Sequence, residues 1–218
     1  MHGPKASAVS TAALGDIAEV LPGFSTGGAL VHDPNGTHQV ILSRHLTAGA
    51  PYIYGSADEM RITPARPTDR YNLRPGDVLI MSRGTRNVAS WIEQVPDPSI
   101  TTVSFYVIRP AGQLEPSYLT WCLNSPTAQR HIADARTGAG TPLVQREAFA
   151  LLPIPVPTIE TQRQIGSLGL LMVQEQQLRQ RLADKIAQCY ALNSEQLVRS
   201  LLGEAAPEQL DHNGQSRS

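Results

Sequence analysis

The sequence predicts an α+β fold in which an irregular mixed β-sheet module is followed by a long, coiled-coil-forming α-helix. Short apolar stretches separated by turn residues fill residues 39–108 and are typical of strands, whereas helical patterns dominate after Pro110. Three alternating prolines, Pro153, Pro155 and Pro157, then keep the backbone extended, and roughly forty residues without a proline follow. The chain therefore divides into a module, an extended connection and a helical arm.

Size and composition fit one domain with an appendage. The chain has 218 residues, 41% of them hydrophobic, and a formal net charge of −1, so it can bury a core. No stretch approaches the ~18 consecutive apolar residues of a membrane span, and the N-terminus has no basic segment leading into an apolar run. We expect a cytoplasmic protein without membrane association or a cofactor of its own. Cys122 and Cys189 are expected to be thiols rather than a disulfide or a metal pair.

The strands are predicted in the first half of the chain. Residues 1–13 are small, polar and unpatterned and are expected to form a disordered leader, and the fold begins at residues 14–20 with a short helix or strand. The turn 73–76, with adjacent proline and glycine, predicts a strand that begins at Asp77. The strand segments are residues 40–42, 52–54, 77–81, 88–92 and 101–108. Strands that precede helices favour an irregular mixed sheet over a doubly wound parallel fold.

Helices follow. Two are predicted to begin at Pro116 and Pro126, because proline is tolerated in the first helical turn. A glycine loop at residues 137–141, interpreted as a helix-to-helix turn, and a short helix at residues 145–150 follow. We place the module at residues 14–157, the long helix at residues 158–203 with Thr158 or Thr161 as its cap and Gly203 as its end, and a disordered tail at residues 204–218.

Apolar residues recur along the arm at spacings of mostly three and four. At about 1.5 Å per residue the helix spans roughly 60 Å, more than its own module can cover. We therefore expect pairing with a second copy or a second subunit. The dimerisation surface is assigned to Ile165, Leu168, Met172, Leu178, Leu182, Ile186 and Leu197. Gly166, Gly169 and Asn193 interrupt the stripe, which leaves a bent helix or two shorter helices open.

The motifs of hydrolases, phosphate-loop proteins and zinc proteases are absent from the sequence. His32, His38 and His45 lie in one segment, but no cysteine or carboxylate pattern accompanies them, so ordinary surface or turn histidines are favoured over metal ligands. The glycine loop at residues 137–141 could bind a phosphate, although a turn that needs positive φ angles explains the same glycines. We expect a protein without catalytic residues.

The best candidate contact loop for DNA is residues 82–87, which directly follow an apolar strand. Arginine and asparagine make paired hydrogen bonds to base edges, and arginine forks also suit phosphates. Alternatives remain: arginine bias has a compositional explanation, Arg83 can pair with Asp77 inside the module, and Tyr52 and Tyr54 can pack in the core instead of stacking on bases. The residues assigned to DNA contact are Ser82, Arg83, Thr85, Arg86 and Asn87, with Arg61 and Arg66 from the same arginine-rich segment, and Tyr52 and Tyr54.

Three segments in order resemble the target recognition domain of type I restriction-modification specificity subunits. They are residues 14–20 (LGDIAEV), residues 73–80 (LRPGDVLI) followed by Arg83 and Gly84, and residues 152–165 (LPIPVPTIETQRQI) at the start of the long helix. The last segment is a divergent version of the family's proline-proline-leucine-glutamate run. Full subunits carry two recognition domains and two long helices, whereas this chain has one of each, so it resembles a half-subunit.

The resemblance implies a non-catalytic protein that recognises double-stranded DNA. Two half-subunits would pair their helices antiparallel, as a homodimer or with another half-subunit, and read a bipartite site. A DNA methyltransferase subunit and a restriction subunit would be the partners, and methyl transfer from S-adenosylmethionine would belong to the methyltransferase. The alternative is a regulatory or anti-phage interaction protein that uses this fold to bind a protein partner, which the near-zero net charge fits equally well.

Overall fold

A computed structural model describes residues 9–112, 114–138 and 140–202. The strands are β1 (Ser10–Ala13), β2 (Ala18–Pro22), β3 (His38–Ile41), β4 (Pro51–Ile53), β5 (Arg61–Ile62), β6 (Val78–Met81), β7 (Ala89–Gln94), β8 (Ser99–Thr101), β9 (Phe105–Pro110), β10 (Arg136–Thr137), β11 (Leu143–Val144) and β12 (Pro153–Val156). The helices are α1 (Leu14–Ile17), α2 (Pro116–Asn124), α3 (Pro126–Asp134), α4 (Arg146–Ala150) and α5 (Ile159–Leu201).

The central sheet has the order β2-β9-β6-β7-β4, and a smaller sheet has the order β5-β3-β8. Both are mixed, because β4 pairs parallel with β7 and β3 pairs parallel with β8 while the other pairs are antiparallel. The predicted α+β architecture with an irregular mixed sheet is therefore confirmed. The predicted segment 101–108 is divided between two strands, β8 and β9.

Strand β6 shows how the central sheet separates two parts of the core. Successive side chains of a strand point to opposite faces. Val78 and Ile80 lie in the cluster that also contains the α2 residues Tyr118 and Leu119. Leu79 lies in a second cluster on the other face. The apolar run after the turn at residues 73–76 is thus buried on both sides of the sheet.

Part of the predicted leader is ordered. Ser10–Ala13 form β1, which pairs antiparallel with β12 from Ser10 opposite Val156 to Ala13 opposite Pro153. Proline is tolerated in such a short strand because only part of the backbone needs to donate. The extended connection predicted from the three prolines therefore forms a strand, β12. Residues 1–8, and with them the rest of the leader, lie outside the described residues, as do Gly203 and the predicted tail at residues 204–218.

Helix α5 is one continuous helix of 43 residues and is not divided into two shorter helices. Its first turn is capped at Thr158, whose hydroxyl accepts a hydrogen bond from the Thr161 amide at 3.3 Å. Gln162 is buried; its side chain accepts from the Glu115 amide at 2.9 Å and donates to the Pro157 carbonyl at 3.0 Å.

The glycines of α5 mark a close contact with another helix. A β-carbon on Gly166 would lie 2.2 Å from the Ser117 hydroxyl, and one on Gly169 would lie 2.5 Å from Cδ1 of Trp121. Only glycine permits α5 to approach α2 this closely. The described residues divide into a compact unit that ends at Val173 and a second unit that begins at Gln174.

Within the described residues, no helix is long and apolar enough to cross a membrane.

Candidate nucleic-acid interface

Three loops meet along one edge of the central sheet, where β2 and β6 end and β9 begins. The Gly23 amide donates to the Phe105 carbonyl at 3.0 Å, and the Ser82 amide donates to the Ser104 carbonyl at 2.8 Å. The Val103 amide donates to the Phe24 carbonyl at 3.2 Å. Residues after β2, after β6 and before β9 are thus joined by backbone hydrogen bonds.

Gly23 is required for this junction. A β-carbon at that position would lie 2.0 Å from the Thr102 carbonyl oxygen, a distance that no side chain can adopt. The Phe24 amide also donates to the Thr101 carbonyl at 2.7 Å, which ties the loop after β2 to the end of β8. The edge is therefore a fixed frame from which exposed side chains project.

Loop 82–87 is held from inside the module by Asn87. Its amide nitrogen donates to the Met81 carbonyl at 2.6 Å, and its amide oxygen accepts from Arg136 Nε at 3.0 Å. Arg136 also donates to the Thr85 carbonyl at 2.7 Å. Asn87 is 1% exposed. We therefore correct its assignment: it shapes the loop and has no free edge to offer a base.

Ser82 is corrected for the same reason. It is 1% exposed, and its hydroxyl donates to the Val103 carbonyl at 3.3 Å. Its own carbonyl accepts from the Val144 amide at 2.9 Å. Its polar groups are thus used to join the three loops to β11.

The exposed side chains of the loop are Arg83, Thr85 and Arg86. Gly84 between them has a φ of +83°, which glycine adopts without strain, and its amide donates to the Pro142 carbonyl at 2.8 Å. In the described part of the chain neither Arg83 nor Arg86 pairs with a carboxylate, and Asp77 pairs with Arg109 instead. The predicted alternative of an Arg83–Asp77 ion pair is therefore wrong.

The glycine loop lies next to loop 82–87. Strands β10 and β11 form a two-stranded antiparallel sheet, and Arg83 forms an isolated bridge with Leu143. The tyrosine hydroxyl of Tyr106 donates to the Val144 carbonyl at 2.6 Å and fixes β11 to the central sheet. Gly138 has a φ of +100°, as the turn interpretation requires. The glycines connect two strands, however, and not two helices.

Arg66 joins the same edge from the loop after β5. Its guanidinium donates to the Ser25 carbonyl at 2.8 Å and lies 5.6 Å from the centre of the Phe24 ring, within the range of a cation–π interaction. The side chain is exposed. We call the exposed set Arg66, Arg83, Thr85 and Arg86 the arginine edge.

The remaining arginines of the segment are distributed differently. Arg61 is partly buried, and its Nε donates to the Gly36 carbonyl at 2.7 Å, so it stabilises a turn. Arg70 stacks over Tyr71 at 5.4 Å. Arg74 is exposed but precedes β6, at the opposite end of the strand from Arg83. The arginine-rich segment is therefore not one continuous patch.

The two tyrosines belong to the core. Tyr52 is 3% exposed and stacks with His45 at a ring distance of 6.3 Å. Burial, with a contribution from Asp58, raises the pKa of the Tyr52 hydroxyl. Tyr54 is partly buried against the same cluster. Tyr52 is not available for stacking on bases, which corrects its assignment, and the packing alternative is confirmed for it.

The three clustered histidines have separate structural partners. His32 Nδ1 accepts from the Arg61 amide at 3.1 Å, and His45 Nδ1 accepts from the Leu42 amide at 3.2 Å. The His38 ring nitrogens lie 2.8 Å from the Thr37 and Thr68 hydroxyls. No group of metal-ligating side chains is found among the described residues.

The residues assigned to dimerisation from the sequence fall into two groups. Ile165 is partly buried and packs against the core of the module. The six others, Leu168, Met172, Leu178, Leu182, Ile186 and Leu197, are between 44% and 66% exposed. Leu171 and Leu192, which the dimerisation assignment omits, are equally exposed at 62% and 57%.

No protein-family model matches the chain. No curated protein matches it either. Solved structures with the same fold include the crystal structure of the HsdS subunit from Thermoanaerobacter tengcongensis, with a TM-score of 0.58 and 20% identity over 93% of this chain and 48% of that one. A second structure comes from work on the structural basis of complex assembly and conformational transition in the type I restriction-modification system. It has a TM-score of 0.65 and 19% identity, over 94% of this chain and 49% of that one.

The type I restriction-modification S subunit from M. genitalium also matches, with a TM-score of 0.52 and 12% identity, over 91% of this chain and 47% of that one. At these identities the comparisons show the fold alone. The chain has the fold of one half of a type I specificity subunit, and it spans about half the length of the solved structures that it matches.

Proposed function

We propose that this chain is a non-catalytic DNA-recognition half-subunit of a type I restriction-modification complex, and that it binds double-stranded DNA through the arginine edge. Arg83 and Arg86 support this proposal most directly. Both are exposed and have no carboxylate partner among the described residues, and their loop is held from inside the module by Asn87 and Arg136.

The frame of the arginine edge suits base recognition. Base recognition is favoured when the backbone that carries the contacting side chains is held in a fixed position. Loop 82–87 is fixed by hydrogen bonds to the turn at residues 102–104, to β11 and to Arg136. In this proposal Arg83 and Arg86 contact base edges or defined phosphates. Arg66 contacts the DNA backbone and sets the position of the module along the duplex.

Two copies of the chain would present two arginine edges. Paired antiparallel through α5, they would be related by a two-fold axis and would read two inverted half-sites. The rigid helices would fix the distance between the half-sites, and B-form DNA converts that distance into a number of base pairs. A half-subunit partner of different sequence would give a site with unlike halves.

In this proposal the partner subunits catalyse methyl transfer and DNA cleavage. A DNA methyltransferase subunit, and in the complete system a restriction subunit, would bind the helical arms and act on the DNA that the modules hold. This chain would then need no cofactor of its own and would work in the cytoplasm.

The experiment is selection of random-sequence duplexes by the purified full-length chain, alone and together with a type I methyltransferase subunit from the same genome. Enrichment of a two-part sequence that is lost in the Arg83→Ala/Arg86→Ala variant supports the proposal. If no sequence is enriched under either condition, the proposal is contradicted and the protein-binding alternative is favoured. The net charge of −1 is compatible with that alternative.

A further inference from the structure

The exposed face of α5 carries a pattern that is complementary to itself. Its core positions, at alternating spacings of three and four, are Leu168, Leu171, Glu175, Leu178, Leu182, Lys185, Cys189 and Leu192. The five leucines are between 57% and 62% exposed, and Cys189 is exposed as well. We call these eight positions the pairing face. It contains one acidic and one basic residue in an otherwise apolar row.

An antiparallel second copy matches this row to itself when the two-fold axis passes beside Gln180. Glu175 then lies opposite Lys185 of the second copy, and by symmetry the same contact forms twice. The apolar positions match in the same register, which pairs Leu168 with Leu192, Leu171 with Cys189, and Leu178 with Leu182. Every layer therefore joins two apolar residues or two opposite charges.

Positions beside the pairing face fit the same register. Met172 and Ile186, both exposed in the isolated chain, lie on the same flank of the seam and are offset by two positions in this register. Glu175 also contacts Arg179 of its own helix at 2.7 Å, and Lys185 contacts Gln188 at 3.2 Å. Both are contacts within one turn on the surface, which contribute little and leave the charges free to pair across the seam.

A slip of one heptad along this seam and a parallel pair both lose the match. A slip of one heptad places Glu175 opposite Leu192 and Lys185 opposite Leu182, so both charges are buried against apolar side chains. A parallel pair places Glu175 opposite Glu175 and Lys185 opposite Lys185. Like charges in facing positions repel.

We propose that a second copy of this chain pairs with the first through the pairing face, antiparallel, in the register centred on Gln180, and that the two Glu175–Lys185 contacts select this register. The inference rests on the proposed function, since it specifies how two half-subunits meet. A slip of one heptad would change the separation of the modules by roughly 10 Å, so these two charges also determine the spacer of the DNA site.

The native Cys189 gives a direct test. It is the exposed thiol, whereas Cys122 is buried and burial raises its pKa to about 11, which suppresses its reactivity. In the proposed register, the thiol introduced by Leu171→Cys faces Cys189 of the second copy within reach of a disulfide. We expect mild oxidation of the full-length variant to give a covalent dimer, with a bridge between the introduced thiol and Cys189 identified by mass spectrometry.

Matched variants detect each competing arrangement. Leu178→Cys faces Cys189 only after a slip of one heptad, Ile165→Cys faces it only if the seam shifts to the side of Met172 and Ile186, and the unsubstituted chain forms a Cys189–Cys189 bridge in a parallel pair. A dominant disulfide-linked dimer in any of these three, or a chain that is monomeric at tens of micromolar, overturns the proposal.

Charge exchange tests the selecting residues. Glu175→Lys and Lys185→Glu should each weaken self-association at least tenfold in sedimentation equilibrium, and the double exchange should restore it. Asp184→Lys makes the same charge change as Glu175→Lys on the exposed side of α5 and should leave association unchanged. Equal association of all variants overturns the role of the charges. Neither experiment uses DNA, so their failure is distinguishable from failure of the proposed function.

Discussion

Arg109 holds both carboxylate oxygens of Asp77, with Nε 2.8 Å from Oδ1 and Nη2 2.9 Å from Oδ2. Asp77 is 2% exposed, and its Oδ2 also accepts from the Arg74 amide at 2.9 Å. The hydrogen bonds to Asp77 raise the pKa of the Arg109 guanidinium. This pair fixes the turn that begins β6, and β6 ends at the arginine edge.

Asp77→Asn should destabilise the module strongly. The substitution removes the charge that compensates a partly buried guanidinium, and removal of one member of such a pair costs about 3–5 kcal/mol. Urea unfolding followed by circular dichroism measures the loss. Glu147→Gln, which removes an exposed carboxylate paired with Arg146, is the control and should leave the midpoint unchanged. Equal midpoints for both variants would show that the Asp77–Arg109 pair contributes nothing.

Asn87→Ala should reduce stability as well as DNA binding. It removes the donor to the Met81 carbonyl and the acceptor of Arg136, and it leaves buried polar groups without partners, which costs about 1–3 kcal/mol for each group. Thr85→Ala, on the exposed part of the loop, should not change the unfolding midpoint. If Asn87→Ala lowers DNA affinity at full stability, Asn87 reads a base directly and our correction is wrong.

Gly166→Ala should separate α5 from α2 or force them to shift. The added β-carbon meets the Ser117 hydroxyl at 2.2 Å and the Tyr118 amide nitrogen at 3.0 Å, and overpacking of this kind costs about 1–3 kcal/mol. Because alanine favours a helix by about 1 kcal/mol relative to glycine, the net loss in the free energy of unfolding is smaller than this. Ser167→Ala, one residue further on the exposed side, should be neutral or stabilising. A thermal midpoint for Gly166→Ala at or above that of Ser167→Ala would contradict the contact.

Acid should destabilise the module through two histidines. Burial is the main cause that lowers the pKa of both His38 and His45; Arg61 adds to the effect at His38, whereas Asp58 partly opposes it at His45. Because the folded pKa values lie below the unfolded value of about 6.5, the unfolded chain binds more protons as the pH falls. The stabilisation is thus present above pH 6.5 and is lost below it.

Thermal unfolding between pH 7.5 and pH 5.5 measures this loss. His45→Gln should reduce the dependence on pH, because the Leu42 amide no longer requires an unprotonated imidazole nitrogen as its acceptor. His131→Gln, at an exposed position of α3, is the control and should retain the full dependence. A dependence on pH that is unchanged in His45→Gln would remove His45 from the explanation.

The sequence predicts well those features that neighbouring residues determine. The turn at residues 73–76 predicts the start of β6, and the alternating prolines predict the extended segment that forms β12. Thr158 is predicted as a cap of α5 and is observed as one. Each of these signals lies within a few residues of its effect. Burial of the apolar run in β6 follows from the same local pattern.

The features that the sequence does not predict depend on contacts between residues that are far apart in the chain. Asn87 is buried because Arg136, 49 residues away, reaches it, and no local pattern distinguishes this asparagine from one that contacts DNA. Tyr52 and Tyr54 are interpreted from their spacing, yet Tyr52 is buried among residues distant in sequence, such as Ile92 and Phe105. Ser10–Ala13 resemble a leader because their pairing partner, β12, lies more than a hundred residues later.

DNA recognition by the arginine edge is tested by the salt-dependent affinity of the full-length chain for its selected duplex, measured by fluorescence anisotropy. Arg83→Ala/Arg86→Ala is compared with Arg74→Ala, which removes an exposed arginine at the opposite end of β6. We expect Arg74→Ala to bind like the unsubstituted chain and the double variant to bind at least tenfold more weakly. A phosphate contact would lower the salt slope by about one, and a base contact would cost roughly 1–3 kcal/mol on the selected sequence alone. Equal affinity of the double variant and Arg74→Ala, at every salt concentration, would contradict DNA recognition by the arginine edge.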